Sequence, residues 1–384
     1  MGTCRGDVSN KSGKIVFGIS WERFLLLETE DIKQLALSKG LSVNLRSEIP
    51  NIWAEVLDRT AYVPVMYTSS SIEFQWAYQR GHGGIWQDIS IIIYWNSSPV
   101  AIWPLSLAIK DGETFLNSHG LPVHPPLFVA DCPELSRKRI TKICIDIADT
   151  IAMKSGANIW ESTEAFNDSN GFSDWHIESM SRGATCTVKH DLFINLQQNM
   201  EVIKRGFRKS YKSLVTSGMR NWTVGVLDAA DEMIWNQFSE LHFKVSGRKT
   251  RSDETWEIHL KDIKRQQGFL VYLLNSAGEM DGGGFFNFTQ DEGMYSVAAY
   301  NRALFDKPLG HIVQYRAIEE LKNRGVRWYK IGARPYRSEM PSLSDKEVSI
   351  GEFKQGFASH MFPRFGLLHP VSEPTIHQKQ EGLA

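Results

Sequence analysis

Residues 268–275 (GFLVYLLN), 281–289 (DGGGFFNFT) and 294–301 (MYSVAAYN) form the stretch that decides the fold. Each run is rich in β-branched or aromatic residues and is bounded by a polar turn, which predicts three consecutive strands. Residues 311–324 then repeat apolar side chains at three-residue steps and end at a glycine, which predicts a helix. Residues 326–331 (VRWYKI) return to a strand pattern. This β-α-β unit is expected to open a ligand cleft beside the start of its helix.

A similar order of elements occurs once earlier in the chain. Residues 88–95 (DISIIIYW), 99–109 (PVAIWPLSLAI) and 114–118 (TFLNS) predict three strands. Residues 136–154 carry isoleucines at helical spacing, and residues 158–161 (NIWE) begin another strand. We interpret the two stretches as a degenerate tandem repeat, with two unrelated α/β pieces as the alternative.

Composition and length indicate an ordinary globular protein with two domains. A chain of 384 residues exceeds the length at which a single core keeps growing. Lysine and arginine total 43 against 44 aspartate and glutamate residues, which excludes a global field that would hold nucleic acid or an anionic membrane. Any basic function is therefore expected to be local.

The apolar runs and the cysteines indicate the cellular location to expect and whether a metal site is present. The longest apolar stretches are too short to span a bilayer, and the first residues lack the apolar segment of a secretion signal. The 4 cysteines are widely spaced and form no CxxC pair, which argues against a zinc site and against a disulfide framework. We expect a cytoplasmic protein without a membrane span and without a metal site.

The predicted elements divide the chain into five parts. Residues 1–60 are an N-terminal entry region, residues 61–198 hold the first repeat and residues 219–371 hold the second. Residues 199–218 are predicted to form one basic connector helix, and residues 372–384 a flexible tail. The second repeat begins with a strand and two helices, so its order is strand, helix, helix, three strands, helix, strand.

This order resembles the GNAT acyltransferase fold, and four short motifs narrow the resemblance. Residues 203–214 (IKRGFRKSYKSL), 240–243 (ELHF), 309–310 (LG) and 350–357 (IGEFKQGF) are similar in order and spacing to motifs of tandem-GNAT proteins of the FemAB-like and related acetyltransferase group. The resemblance implies an α/β protein with a mixed α+β sheet. It also implies two GNAT-like acyl-CoA N-acyltransferase domains in tandem.

One turn departs from the pattern of enzymes that use acyl-CoA. Such enzymes often hold the donor pyrophosphate on the amides of a glycine-rich turn at a helix start, whereas residues 305–311 (FDKPLGH) keep a single glycine. The resemblance implies a donor site at Gly310 and His311, with Arg302 and Lys307 as nearby cations. Acyl-CoA, in the first instance acetyl-CoA, is expected as a cosubstrate, and no permanently bound cofactor is expected.

Acyl transfer to an amine needs hydrogen-bond donors for an oxyanion and a proton for the leaving group. The resemblance places Lys354 where a cation binds a phosphate or stabilises an oxyanion; a solvated lysine whose stem covers Phe353 is the alternative. It places Tyr300 beside the donor, to protonate the leaving group; a core tyrosine is the alternative. Asp281 and Glu292 are candidate bases by position, although both are expected to be solvated turn residues.

Five further residues are candidates for binding substrate. Arg334 and Tyr336 follow the last strand of the repeat, where α/β clefts usually lie, and His119 belongs to a turn-rich loop. Arg205 and Arg208 belong to the basic connector, which can meet the phosphates of a sugar nucleotide, coenzyme A or a tRNA acceptor stem. Ordinary surface loops and a solvated helix face are the alternatives.

These observations lead to one principal hypothesis and two alternatives. The principal hypothesis is an N-acyltransferase that moves an acyl group from acyl-CoA to an amine acceptor, such as an amino sugar or a cell-envelope glycan precursor. The first alternative is a Fem-type aminoacyl transferase that uses charged tRNA. The second is a non-catalytic tandem-GNAT binding protein, which the incomplete glycine pattern of the donor turn motivates.

Overall fold

The computed structural model describes residues 29–157, 159–164, 166, 171–340 and 342–371, so the start of the entry region, Cys4 and the tail lie outside the described residues. The helices are α1 (Thr29–Ser38), α2 (Pro50–Asp58), α3 (Ser69–Gly81), α4 (Glu134–Lys154), α5 (Asp174–Ser181), α6 (Met200–Gly206), α7 (Lys209–Gly218), α8 (Glu232–Ser246), α9 (Asp253–Lys264), α10 (Leu309–Asn323) and α11 (Asp345–Gln355). The strands are β1 (Ser42–Leu45), β2 (Ile85–Asp88), β3 (Ile91–Trp95), β4 (Ser98–Trp103), β5 (Ser106–Lys110), β6 (Glu113–Asn117), β7 (Leu127–Phe128), β8 (Ile159–Thr163), β9 (Thr185–Asn195), β10 (Thr223–Leu227), β11 (Gly268–Leu274), β12 (Met280–Phe288), β13 (Glu292–Tyr300), β14 (Trp328–Ala333) and β15 (His360–Pro370).

The two halves of the chain have the same order of elements, which confirms the predicted tandem repeat. In the first half, β1, α2 and α3 precede the short strands β2 to β7, and α4, β8, α5 and β9 follow. In the second half, β10, α8 and α9 precede β11 to β13, and α10, β14, α11 and β15 follow. The elements predicted for residues 268–331 agree with the observed ones to within a few residues.

The first half differs from the prediction because its long hairpin turns a corner. The single strand predicted over residues 99–109 is two strands, since Pro104 cannot donate a hydrogen bond to a sheet. At the corner, Ile89 N donates to Leu105 O at 2.9 Å and Leu105 N donates to Ser90 Oγ at 3.1 Å. As a result β3 and β4 join a sheet of order β1-β3-β4-β7, whereas β2 and β5 join one of order β2-β5-β6.

The two halves exchange their last strands. One eight-stranded sheet runs in the order β10-β11-β12-β13-β14-β9-β15-β8. β9 ends the first half but pairs with β14, while β15 ends the second half but pairs with β8. β9 and β15 also pair with each other, from Phe193↔His360 to Thr185↔Leu368. Each half therefore depends on a strand from the other.

The second half is covered on both faces of its sheet, which explains its nearly continuous apolar strands. Phe285 and Phe286 are neighbours on β12 and point to opposite faces. The Phe285 ring lies 5.5 Å from that of Trp235 on α8, whereas Phe286 packs in one cluster with Ile312 on α10. Both phenylalanines are fully buried, and burial of each stabilises the fold by about 1.5–3 kcal/mol.

The connector is two helices, α6 and α7, and not the single helix predicted over residues 199–218. Phe207 and Arg208 between them have extended backbones. Phe207 is buried edge-on against Phe357, with ring centres 5.1 Å apart, and Arg208 N donates to Gly356 O at 2.8 Å. These contacts bend the connector around the end of α11. Within the described residues, no helix combines the length and apolar character needed to cross a membrane.

Candidate functional site

The large sheet opens between β13 and β14. These two strands run parallel, and their described pairing covers three residues of each before it ends at Met294 and Lys330. Just beyond, Ser296 is an extra residue of β13 opposite Phe285 and Phe286 of β12. A β-bulge of this kind bends its strand and re-aims its side chains. The two strands therefore diverge, and a gap opens at the carboxyl end of β14.

Lys354 of α11 lies in this opening. Its ammonium is 5.7 Å from the centre of the Tyr295 ring on β13. On the β14 side it packs against Gly332, which has a φ of +139° and whose replacement by any larger residue would bring a Cβ into contact with Lys354 Nζ. Burial lowers the pKa of Lys354 below its usual value, and the opposing effect of the Asp191 charge is smaller. No carboxylate among the described residues forms an ion pair with Lys354.

Two tyrosines line the β13 side of the opening. The hydroxyls of Tyr300 and Tyr295 are hydrogen-bonded at 2.8 Å. Burial raises the pKa of Tyr295 to about 12 and that of Tyr300 well above its usual value, so both phenols are neutral and can donate hydrogen bonds at neutral pH. Gly282 and Gly284 on β12 make room for them, because a Cβ there would approach the Tyr300 and Tyr295 rings to 2.8 and 3.0 Å.

The start of α10, where the resemblance implies a donor site, is packed with aromatic rings. The His311 ring lies edge-on to Tyr211 at 4.4 Å and to Phe353 at 5.0 Å. Gly310 also packs closely against Phe353, since a Cβ added to Gly310 would lie 3.1 Å from the Phe353 ring. Burial, with the charge of Arg208, lowers the pKa of His311 to about 4. At neutral pH this side chain is therefore uncharged.

The two predicted cations of the donor turn stand apart from that ring cluster. Arg302 belongs to a short 3₁₀ turn after β13 and is exposed. Lys307 is also exposed, and its ammonium is 2.8 Å from a carboxylate oxygen of its neighbour Asp306. Exposed neighbours of this kind interact weakly, so Lys307 remains available to an anionic ligand in solution.

Two of the predicted substrate-binding arginines hold the helix that carries Lys354. Arg334 is buried after β14, and its Nε donates to Gln355 Oε1 at 2.8 Å. Its Nη2 also donates to Glu352 Oε1 at 3.4 Å, and Arg208 Nη2 donates to the carbonyl of Glu352 at 3.1 Å. A positive charge near the C-terminus of a helix stabilises the helix. The structure thus places both Arg334 and Arg208 against the C-terminal part of α11, the helix that carries Lys354.

Tyr336 and Arg205, two further substrate-binding candidates, lie in different places. The Tyr336 ring packs under the Arg334 guanidinium at 4.5 Å and edge-on to His190 at 5.3 Å. Arg205 is exposed on α6 and lines a separate groove beside α10. Tyr336 therefore supports Arg334, and Arg205 belongs to a different surface.

His119 belongs to a buried polar cluster of the first half. Its Nε2 lies 3.1 Å from Asp88 Oδ1, and the other oxygen of Asp88 accepts from Arg46 Nη2 at 2.8 Å. Burial would raise the pKa of Asp88, but the hydrogen bond and charge of His119 and the charge of Arg46 outweigh it and lower that pKa. The backbone N–H of His119 also donates to Ser106 Oγ at 2.8 Å. These contacts fix the corner between the two small sheets.

The two carboxylates expected as solvated turn residues are buried in strands. Asp281 on β12 accepts a hydrogen bond from Trp222 Nε1 at 2.9 Å. Glu292 on β13 accepts from Tyr62 OH at 3.2 Å and from Val65 N at 3.1 Å. Burial raises the pKa of Glu292. The expectation was wrong because both strands extend farther than their apolar runs, so the flanking carboxylates enter the sheet.

Sequence reasoning missed a buried ion cluster at the junction of the halves. Asp191 on β9 is 5% exposed and accepts from Lys330 Nζ at 2.8 Å and from Arg364 Nε at 3.2 Å. The sequence signal was weak: Lys330 interrupts an apolar strand run, and Asp191 directly precedes one. Because β9 and β14 are neighbours only through the strand exchange, the partnership of these charges was not visible in the sequence.

No group of three histidine, cysteine or carboxylate side chains in the described part of the chain is placed to hold a metal ion. Cys132, Cys144 and Cys186 are free thiols. What the opening does offer is one ammonium, two neutral phenols and the free edge of a bulged strand. Such a set can bind a carbonyl oxygen, stabilise the negative charge that develops on it and donate a hydrogen bond to a leaving group.

Comparison with solved structures identifies the architecture. The structure of FemX matches with a TM-score of 0.61 at 12% identity, over 82% of this chain and 95% of FemX. That of L-PGS from Bacillus licheniformis matches with a TM-score of 0.53 at 12% identity, over 85% of this chain and 93% of L-PGS. A conserved protein from Bacteroides thetaiotaomicron matches with a TM-score of 0.53 at 7% identity, over 86% of this chain and 99% of that protein.

These matches show the fold: the chain is similar in fold to FemX and to L-PGS, in agreement with the FemAB-like tandem GNAT fold that the sequence resemblance implies. The sequence itself matches no family profile and no curated protein sequence. The resemblance found in residues 203–214 and 350–357 is therefore confirmed at the level of the fold.

Proposed function

We propose that this protein is an N-acyltransferase whose reaction takes place at the opening between β13 and β14. The donor is acyl-CoA, in the first instance acetyl-CoA, and the acceptor is an amine on an amino sugar or a cell-envelope glycan precursor. One observation carries the proposal. Lys354 holds a half-buried ammonium, without a carboxylate partner among the described residues, at the place where the sheet of a GNAT fold parts.

The charge of Lys354 suits a thioester carbonyl. When an amine attacks that carbon, negative charge develops on the oxygen, and a fixed cation in a partly dry site stabilises it far more than water does. An ion-paired lysine would already have its charge matched. The contacts of Arg334 and Arg208 with α11 fix the helix from which Lys354 reaches the opening, which lowers the cost of positioning during the reaction.

Tyr300 lies where the resemblance implies contact with the leaving group. Its raised pKa keeps the phenol protonated but makes complete transfer of that proton to a thiolate unfavourable. Tyr300 therefore donates a hydrogen bond to the departing sulfur. As the C–N bond forms and the C–S bond breaks, the proton lost by the amine completes the thiol, so the atoms balance without a further reactant.

The test combines calorimetry with acetyl-CoA and a thiol-release assay across a panel of amino sugars and glycan-precursor amines. We expect acetyl-CoA to bind and at least one amine to release thiol. Lys354→Ala is expected to lower turnover about 100-fold or more, since removal of one oxyanion donor has that effect. Lys346→Ala, an exposed lysine on the same helix, is the matched control.

Two outcomes would contradict the proposal. Absence of acetyl-CoA binding at millimolar concentration, together with no thiol release with any amine, would exclude acyl-CoA as the donor. Turnover of Lys354→Ala within twofold of the parent protein would remove Lys354 from the mechanism.

Fem-type transfer from aminoacyl-tRNA is the second candidate, and one observation favours it. The first turn of α10 is covered by the rings of Tyr211, Phe353 and a neutral His311, which leaves few polar groups for a coenzyme A pyrophosphate. This candidate predicts transfer from charged tRNA and steeply salt-dependent RNA binding. Inactivity with both donors, with retained ligand binding, would instead support a non-catalytic tandem-GNAT protein.

A further inference from the structure

A second pocket lies on the outer side of α10, away from the opening that holds Lys354. It is a groove of about 620 Å³ between the connector helices α6 and α7 and the exposed side of α10. A volume of this size is typical of sites for small organic ligands. The residues that line it are Glu201, Lys204, Arg205, Phe207, Lys212, Val215, Thr216, Met219, Arg220, Tyr315 and Glu319.

Three cations of this groove are free to meet an anion. Across the ranges that the structure describes, no carboxylate forms an ion pair with Arg205, Lys212 or Arg220. The two acidic residues of the groove are already engaged, since Glu319 lies 3.4 Å from Arg316 and Glu201 lies 3.8 Å from Lys204. The groove thus carries local positive charge in a protein whose formal net charge is -1. This combination favours an anionic ligand held locally.

The floor of the groove is apolar. Phe207 and Val215 are buried beneath it, and Met219 at the end of α7 is 41% exposed. The ring of Tyr315 forms the wall on α10, with the ammonium of Lys204 5.1 Å from its centre. The apolar floor adds a place for an uncharged part of the ligand.

We propose that this groove binds an organic phosphate that carries at least two negative charges and an apolar or aromatic group. The phosphates lie against Arg205, Lys212 and Arg220, and the organic group lies on Met219 and Tyr315. Arginine and lysine side chains bind phosphate through charge-assisted hydrogen bonds. A nucleotide and a phospholipid headgroup share this chemistry. The proposal is independent of the acyl transfer proposed above.

The experiment uses the full chain, freed of nucleic acid, and three probes. Calorimetry is performed with inorganic pyrophosphate and with a nucleoside diphosphate, and flotation with vesicles that contain or lack an anionic phospholipid. We expect the nucleoside diphosphate or the anionic vesicles to bind, and salt to weaken that binding. Pyrophosphate alone is expected to bind at least tenfold more weakly than the nucleoside diphosphate, because it cannot use the apolar floor.

Variants locate the site. Arg205→Glu and Lys212→Glu are each expected to weaken binding at least tenfold, and Arg205→Lys to retain most of it. Lys264→Glu, which reverses an exposed charge on α9, is the matched control and should change binding less than twofold. Because these side chains are exposed, thermal unfolding of each variant should match that of the parent protein.

The outcomes are distinct. Binding of the nucleotide without vesicle binding assigns the groove to a free organic phosphate, and the reverse assigns it to a lipid headgroup. Absence of binding to all probes at millimolar concentration overturns the proposal, as does binding that Arg205→Glu and Lys212→Glu leave unchanged. Loss of acyl transfer in a Lys354 variant with intact groove binding would separate this proposal from the proposed function.

Discussion

Replacement of Gly332 by alanine tests whether Lys354 occupies the opening of the sheet. Gly332 has a φ of +139°, a conformation that residues with a side chain rarely adopt. The three atoms nearest to a Cβ at this position all belong to Lys354. Gly332→Ala should therefore have two separable effects, one on the backbone and one on the lysine.

The backbone effect is a loss of stability of about 1–3 kcal/mol, the usual cost of a non-glycine residue in such a conformation. The collision adds little to this, because the end of a lysine side chain is flexible and can swing away. The second effect is therefore on position. The Lys354 ammonium leaves the opening for solvent, and its lowered pKa rises as the burial that lowers it is relieved.

Two measurements separate the effects. Chemical denaturation of Gly332→Ala gives the loss of stability. Gly325→Ala is its control, since Gly325 also has a positive φ, of +77°, but a Cβ added there would meet no atom within 4 Å. Labelling of Lys354 by an amine-reactive reagent, followed by mass spectrometry across a range of pH, gives the midpoint of its titration. That midpoint should rise in Gly332→Ala and stay unchanged in Gly325→Ala.

A double variant tests whether Lys354 is the side chain that the new methyl group displaces. In the Gly332→Ala background, Lys354→Ala removes the three atoms nearest to the new methyl group, so the stability loss caused by Gly332→Ala should then reflect the backbone conformation alone. If Gly332→Ala lowers stability but leaves the labelling midpoint and the acyl transfer unchanged, Lys354 does not lie in the opening, and its role in the proposed mechanism fails.

Three further predictions follow from buried groups and from the strand exchange. Asp191→Ala should lower the free energy of unfolding by about 3 kcal/mol, because it leaves the partly buried charge of Lys330 without its carboxylate partner. Glu134→Ala, at an exposed pair, should leave the free energy of unfolding nearly unchanged in the same denaturation assay. The pKa of His311 is lowered from 6.5 to about 4, so as the pH falls the unfolded chain takes up a proton at this residue before the folded chain does. The free energy of unfolding should therefore decrease as the pH is lowered from about 6.5 to about 4, and His311→Phe should reduce that dependence on pH. A chain that ends before His360 lacks β15, and limited proteolysis should then cleave both halves rapidly, since β8 and β9 lose their common neighbour.

The elements of the second half were predictable because their local signals agree with one another. Residues 268–301 combine β-branched and aromatic runs with polar turns, and both faces of the strands are buried, so few polar residues interrupt the pattern. The helix predicted over residues 311–324 differs from α10 by two residues at its start and one at its end. Local pattern decides such elements, and tertiary contacts only adjust their ends.

The first half was less predictable because tertiary contacts break its local pattern. The apolar run of residues 99–109 reads as one strand, yet Pro104 and the hydrogen bonds of Ser90 turn it into a corner between two sheets. The connector likewise reads as one helix until Phe207 is drawn into the core against Phe357. Pro104 is a local signal for the first break, but Phe357 is distant from Phe207 in sequence, so no local pattern indicates the second break.

The candidate site, too, was predictable only in part. The resemblance of residues 350–357 singled out Lys354, and the structure places it in the sheet opening. Arg334 was singled out as a substrate-binding residue because it follows the last strand of the repeat, and Arg208 because it belongs to the basic connector. In the structure both side chains donate hydrogen bonds to α11. A sequence gives the position of a charge along an element, but the partner of that charge depends on packing.

The strand exchange explains why Lys354 is held where it is. β14 and β15 both pair with β9, one on each side, so α11, which connects them, has to cross over β9. β9 comes from the first half, and at that crossing it presents Asp191, the acidic group whose charge acts on Lys354. The position and the electrostatic environment of the lysine thus depend on a strand that the other repeat supplies. It follows that a single repeat contains the residues of the site but not the geometry, and that disruption of β9 should disable Lys354 even though every second-half residue is unchanged.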